Sequence, residues 1–186
     1  MSHIVIIAGS PSASAKSSAI LDHAQHILRR KAIHTGAIVV RSLPPEDLVH
    51  ARLDSPAMQE ALLALDRAEG VIIATPAYRA AYAGVLRAFL DLLPQSALQG
   101  KTILPLATGG SPTHLLALDY ALKPVLSALG ASRILRGVYI TDAQIQFEHG
   151  GALRLEESVV QRLRESLDEL VLSVRTFVPD AVATAA

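Results

Sequence analysis

The sequence predicts an open parallel α/β sheet with helices on both faces. Short β-branched runs that are apolar on both sides, as in Ile4-Val5-Ile6-Ile7 and Val71-Ile72-Ile73-Ala74-Thr75, read as strands buried in such a sheet. Helix-period stretches separate them, so strands and helices alternate along the chain. With 186 residues, 51% of them hydrophobic, the chain can bury a full core, and one domain over residues 1–186 is expected.

The first strand, at residues 4–7, is followed by a periodic helix at 17–30. Ala37-Ile38-Val39-Val40 reads as the second strand, closed by Leu43-Pro44-Pro45. Ser55-Pro56 supplies an N-cap and a first-turn proline for a helix reaching about Ala68. The third strand, at 71–75, exits through a loop at 76–84 into a helix holding Val85, Leu86, Phe89 and Leu92. Residues 102–107 form the fourth strand, in which Pro105 calls for a bulge or special pairing. Thr108-Gly109-Gly110-Ser111-Pro112 is its exit loop, leading to an apolar helix over 113–129. A fifth strand is read at 134–140. A final helix carries Val160, Leu163, Leu167, Leu170, Val174 and Phe177 on one face, and residues 179–186 are expected to fray.

Charge and composition exclude several functions. Lys plus Arg and Asp plus Glu both number 17, with no basic run, so neither nucleic acid nor an anionic membrane is an expected partner. The absence of cysteine removes disulfides, zinc-thiolate sites and thiol catalysis. The N-terminal run has no basic flank and is too short for a secretory or membrane segment, so a cytoplasmic location is expected.

In sheets of this kind the ligand sits at the carboxyl ends of the strands. Three loops there carry unusual chemistry. Residues 10–18 offer Ser10, Ser12, Lys16, Ser17 and Ser18 at a helix N-terminus, which suits a phosphate. The spacing fits neither a P-loop nor the dinucleotide G-x-G-x-x-G, and serine-rich chemistry favours a terminal monoester. A solvated loop that only caps the helix is the competing reading. The second loop places Pro76, Ala77, Tyr78 and Arg79 where a flat ring can lie, and Thr108, Gly109 and Gly110 let backbone groups approach a planar heterocycle. Singly, ordinary packing and an ordinary turn account for the tyrosines and glycines. Together a phosphate and a flat, polar-edged ring describe flavin mononucleotide, FMN, in a flavodoxin-like three-layer sandwich of strand order 2-1-3-4-5.

Several motifs then point to one family. Ala8-Gly9-Ser10-Pro11, Ala74-Thr75-Pro76-x-Tyr78-x-Ala80-Ala81-Tyr82-x-Gly84, Leu98-Gln99-Gly100-Lys101, Leu104-Pro105-Leu106-Ala107-Thr108-Gly109-Gly110 and His114-Leu115-Leu116-Ala117-x-Asp119-Tyr120-Ala121-Leu122-Lys123-Pro124-Val125-Leu126 lie between Ile4 and Asp142. They resemble the NADPH-dependent FMN reductases of two-component alkanesulfonate monooxygenase systems. The resemblance implies hydride transfer from NADPH to FMN and release of the reduced flavin to a partner flavin-dependent monooxygenase. Beyond residue 143 it extends only to helical character. Related reductases often carry arginine at Ser12 and serine at Ala15, which bears on flavin affinity rather than reaction type; Arg79 replaces a common lysine.

No side-chain acid or base is expected, because hydride transfer needs only stacked rings. His114, beside the glycine loop, reads as a structural or orienting residue, and His23 with His26 lacks a third metal ligand and is expected to be exposed rather than metal-bound. Pro124 inside a helix predicts a π-bulge, and the resemblance places a tyrosine like Tyr120 at such a bulge in an oligomer interface next to the flavin. Tyr120 is expected to pack across a subunit boundary of a homo-oligomer, dimer or tetramer, and to help flavin enter and leave; an ordinary kinked helix with a core tyrosine is the competing reading. Two other readings share the fold. One keeps FMN as a prosthetic group and reduces quinones, azo dyes or metal oxyanions. The other is an electron carrier, disfavoured by the neutral surface charge.

Overall fold

Strand β1 (His3–Ala8) is buried on both faces and lies inside the sheet, pairing in parallel with the edge strand β2 (His34–Val39) and the central strand β3 (Gly70–Tyr78). The computed structural model describes residues 3–148 and 152–176. On its far side β3 pairs with β5 (Thr102–Gly109), and β5 pairs with β6 (Arg133–Ile134) and then β7 (Val138–Thr141). A two-residue strand β4 (Ala81–Tyr82) folds back antiparallel on β3. The sheet therefore has seven strands where five are expected. With β4 set aside and β6 and β7 taken as one broken edge strand, the parallel order is the expected 2-1-3-4-5.

Alternate residues of β1 feed two cores, as the two-residue period of a strand requires. Val5 and Ile7 pack with Met58, Leu65, Leu86 and Phe89, from α3 (Pro56–Asp66) and α4 (Gly84–Asp91). Ile4 and Ile6 pack with Ile20, Leu28, Leu163 and Leu170, from α1 (Lys16–Arg30) and the C-terminal helix (Glu157–Thr176). Ser55 caps α3 as expected, its hydroxyl accepting the Met58 N–H at 3.2 Å.

Pro105 explains the broken edge. The Ile103 carbonyl accepts from Leu135 N at 2.9 Å, so the position two residues on, where proline has no N–H, faces the same neighbour. Pairing resumes at Leu106 with Val138, leaving three residues of the edge strand opposite two of β5. The extra residue makes a bulge, with Gly137 at φ 85 and Pro105 against it. The expected bulge thus lies in the partner strand, and the fifth strand is split.

Other expectations change locally. β2 starts at His34 and ends before Val40, which opens a 3-10 turn. The closing loop after it contains a short helix, α2 (Pro45–His50), behind its prolines. The apolar stretch at 113–129 is not one helix. It begins as a 3-10 turn (Pro112–Leu115), passes through a π turn (Ala117–Leu122) and ends as α5 (Lys123–Ala128). The segment after residue 143 is not only helical: β8 (Ile145–Phe147) and β9 (Leu153–Leu155) form an antiparallel hairpin before α6 (Glu157–Thr176). On α6, Val159 rather than Val160 is fully buried with Leu163, Leu167, Leu170 and Val174. Phe177 and the tail at 179–186 lie outside the described residues.

Candidate functional site

The three loops meet at the carboxyl edge because β1, β3 and β5 are neighbours in register. Ala8 lies opposite Ala74, and Pro76 lies opposite Thr108. Gly9 N donates to Ala74 O at 2.8 Å and fastens the first loop to β3. A Cβ on Gly9 would come within 2.8 Å of Leu86, so α4 and the loop pack this closely only around glycine.

Past Gly9 the chain turns on itself. Ser10 is fully buried and its hydroxyl accepts the Ser12 N–H at 3.2 Å, while the exposed Ser12 hydroxyl pairs with that of Ser14. Helix α1 then starts after Ala15 with no side-chain cap. The Ser17 and Ser18 hydroxyls at this end are buried without a hydrogen-bond partner. Uncapped N–H groups, the positive end of the helix dipole and two orphaned hydroxyls form a donor set suited to a phosphate. Lys16 reaches across to Asp142, with Nζ 3.1 Å from Oδ1 and donating to the backbone carbonyl at 3.3 Å.

The second loop is a hairpin arm. Pro76, Ala77 and Tyr78 continue β3; Arg79 and Ala80 turn at φ 50 and 62, and Ala81 and Tyr82 return opposite Tyr78 and Ala77. Two consecutive left-handed residues make the two-residue turn that matches strand twist, here without glycine. Pro76 and Ala77 are buried, Tyr78 is half-exposed, and Arg79 stands at the tip. Thr75, not anticipated as a site residue, holds the arm. Its buried hydroxyl accepts the Ala83 N–H at 3.0 Å and lies 3.1 Å from Pro76 O and 3.4 Å from Gly9 O. A lone hydroxyl residue closing an apolar strand was the available signal.

Thr108 and Gly109 belong to β5 rather than to a loop, paired with Ile140 and Thr141. Gly109 has no room for a side chain: a Cβ would collide with the Tyr139 hydroxyl. That hydroxyl donates to Ser111 O at 2.8 Å. Burial, and secondarily the Asp142 charge, pushes the Tyr139 phenol above its ordinary pKa. Gly110 is exposed, with Asp142 Oδ2 3.7 Å from where its Cβ would stand. Nothing near Lys16 in sequence announces Tyr139 or Asp142.

His114 keeps Nδ1 buried and unpartnered beyond the glycine strand end. Tyr120 is on the π turn, with Lys123 N donating to Leu118 O five residues back, and is 77% exposed on the single chain. Leu115 and Leu116 are exposed on the same segment, which lies beside β4. His23 and His26 join no metal-binding group among the described residues.

Parallel order 2-1-3-4-5, helices on both faces and a phosphate-type donor set at the β1 exit define a flavodoxin-like protein. More narrowly, the chain belongs to the NADPH-dependent FMN reductase family, whose profile matches residues 2–146. It is 50% identical over 142 residues to the FMN reductase (NADPH) of Escherichia coli K12, covering 76% of this chain and 74% of that protein. It is 43% identical over 166 residues to the FMN reductase (NADPH) of Pseudomonas putida, covering 89% of this chain and 84% of that one. The apo crystal structure of NADH:FMN oxidoreductase (EMOB) superposes with a TM-score of 0.83 at 40% identity, covering 93% of this chain and 90% of that one. The protein is an NAD(P)H-dependent FMN reductase, with FMN as its flavin and NADPH as electron donor.

Proposed function

We propose that this enzyme, a single domain, uses FMN as a substrate that comes and goes, and hands the reduced flavin to a flavin-dependent monooxygenase of the alkanesulfonate type. The observation that carries this is the phosphate end of the site. Its donors are two small buried hydroxyls and an uncapped helix end, and its lysine is already paired with an aspartate. Such a set recognises a phosphate without clamping it. The sequence motifs shared with alkanesulfonate systems support the partner.

In this reading Ser10 shapes the loop, Ser17 and Ser18 donate to the phosphate, and Ser12 and Lys16 border it. Pro76, Ala77, Tyr78 and Arg79 form one wall for the ring, and Thr108, Gly109 and Gly110 bring backbone against its edge. Bound FMN supplies the electron-accepting ring to which NADPH delivers a hydride. The chain contributes position alone, and no side chain here is assigned a proton. The exposed Leu115, Leu116 and Tyr120 form the face through which copies associate as a dimer or tetramer, with Tyr120 packing across the boundary and easing flavin passage. A cytoplasmic location without nucleic-acid or membrane partners agrees with the zero net charge, and no helix among the described residues is long and apolar enough to cross a membrane.

The deciding experiment follows NADPH oxidation by flavin-stripped protein as free FMN is titrated, with oxygen as the sole acceptor. Saturable turnover of many flavins per chain is expected. Activity that stops at one retained flavin until a quinone or dye is added would instead establish a prosthetic-flavin reductase.

A further inference from the structure

We propose that Asp142 is a built-in competitor for Lys16, an anion placed at the mouth to keep the flavin phosphate loosely held. The inference rests on the phosphate site described above and goes beyond it by assigning a residue that sets exchange. Lys16 is the one basic side chain between Gly9 and Ser18. Its ammonium is occupied twice by Asp142, through Oδ1 at 3.1 Å and the main-chain carbonyl at 3.3 Å.

The backbone that carries the aspartate is fixed, although its carboxylate is about half exposed. It opens a 3-10 turn (Asp142–Gln144) fixed by a capping box, in which Thr141 N donates to Gln144 Oε1 at 3.1 Å. It also faces Gly110 and acts on the Tyr139 hydroxyl, so it stands between the phosphate loop and the glycine strand end. Ser17 and Ser18, by contrast, have no partner. The neutral donors are therefore free to receive a ligand while the cation already has an anionic partner.

A phosphate monoester carries nearly two negative charges at neutral pH. On reaching Lys16 it meets the carboxylate of Asp142 and must share the lysine with it. Both side chains are partly exposed, so water screens most of the repulsion, and one such charge changes affinity by about tenfold. Asp142 is thus a positioning residue: it holds the lysine ammonium in an ion pair and weakens the complex formed there.

The test is a fluorescence titration of the flavin-free protein with FMN and with riboflavin, which lacks the phosphate. Asp142→Asn is expected to bind FMN about tenfold more tightly and release it correspondingly more slowly, with the gain shrinking as salt rises. Its riboflavin affinity is expected to match that of the unaltered chain, and Asp142→Glu, which keeps the charge, is expected to bind FMN as the unaltered chain does. Asp142→Asn binding FMN equally or more weakly, or shifting both flavins together, overturns the proposal. If the unaltered chain does not distinguish FMN from riboflavin, and Lys16→Met leaves FMN affinity unchanged, the phosphate-site reading fails as well.

Discussion

Thr75 is 1% exposed, and its one hydroxyl touches the first loop, the hairpin arm and the start of α4. Thr75→Val keeps the shape but leaves the Ala83 N–H buried without an acceptor. A loss of about 1–3 kcal/mol in denaturant unfolding is expected, together with weaker FMN binding as the arm loosens. Gly109 tests a different constraint. Gly109→Ala is expected to destabilise by about 1–3 kcal/mol, and adding Tyr139→Phe should recover part of that, because the hydroxyl is what the new methyl meets. The double-mutant cycle measures the recovery. His23 affords a pH test: burial first, then the charges of His26 and Arg164, lowers its pKa from the ordinary 6.5. The unfolded chain binds the extra proton first as pH falls through that window, so stability drops on acidification. His23→Gln is expected to flatten this fall, seen as a smaller decrease in urea midpoint between about pH 7 and about pH 5.

At the scale of elements, the hairpin arm and the π turn carry most of the unusual backbone. Arg79 and Ala80 both hold left-handed conformations without glycine. Ala80→Gly relieves one of them and is expected to stabilise the fold by about 0.5 kcal/mol in thermal unfolding, the strain removed exceeding the entropy glycine adds. The π turn was foreseeable from Pro124, which cannot donate to Tyr120 O and crowds that carbonyl. Pro124→Ala restores the missing donor. An unbroken i to i−4 ladder through residue 124 in a crystal structure of the variant is the expected outcome. The hairpin was less legible: Tyr78-Arg79-Ala80-Ala81 contains none of the Asn-Gly or Gly-Gly pairs that mark a two-residue turn. Only its anchor on Thr75 and its pairing with β3 reveal it.

For the whole molecule, ligand linkage gives the broadest check. FMN that binds the folded chain alone raises its thermal midpoint with concentration, by about 2.7 kcal/mol of stability at a hundredfold excess over the dissociation constant. The gain is expected to be smaller for riboflavin at equal concentration, because the Ser17 and Ser18 hydroxyls then stay unpartnered.

The apolar runs, their lengths and the loop chemistry between them determine the layered parallel sheet and the edge at which the three candidate loops meet, because periodicity and turn residues are local properties. The resemblance of the motifs to FMN reductases is likewise written in the chain. Asp142 lies 126 residues from Lys16 and Tyr139 lies 30 residues from Gly109, so neither partner could be read from spacing. The split edge strand and the β8–β9 hairpin arise the same way, from pairing between distant segments. Tertiary structure decides these features because hydrogen bonds and charges act through space, and the fold alone sets which residues become neighbours.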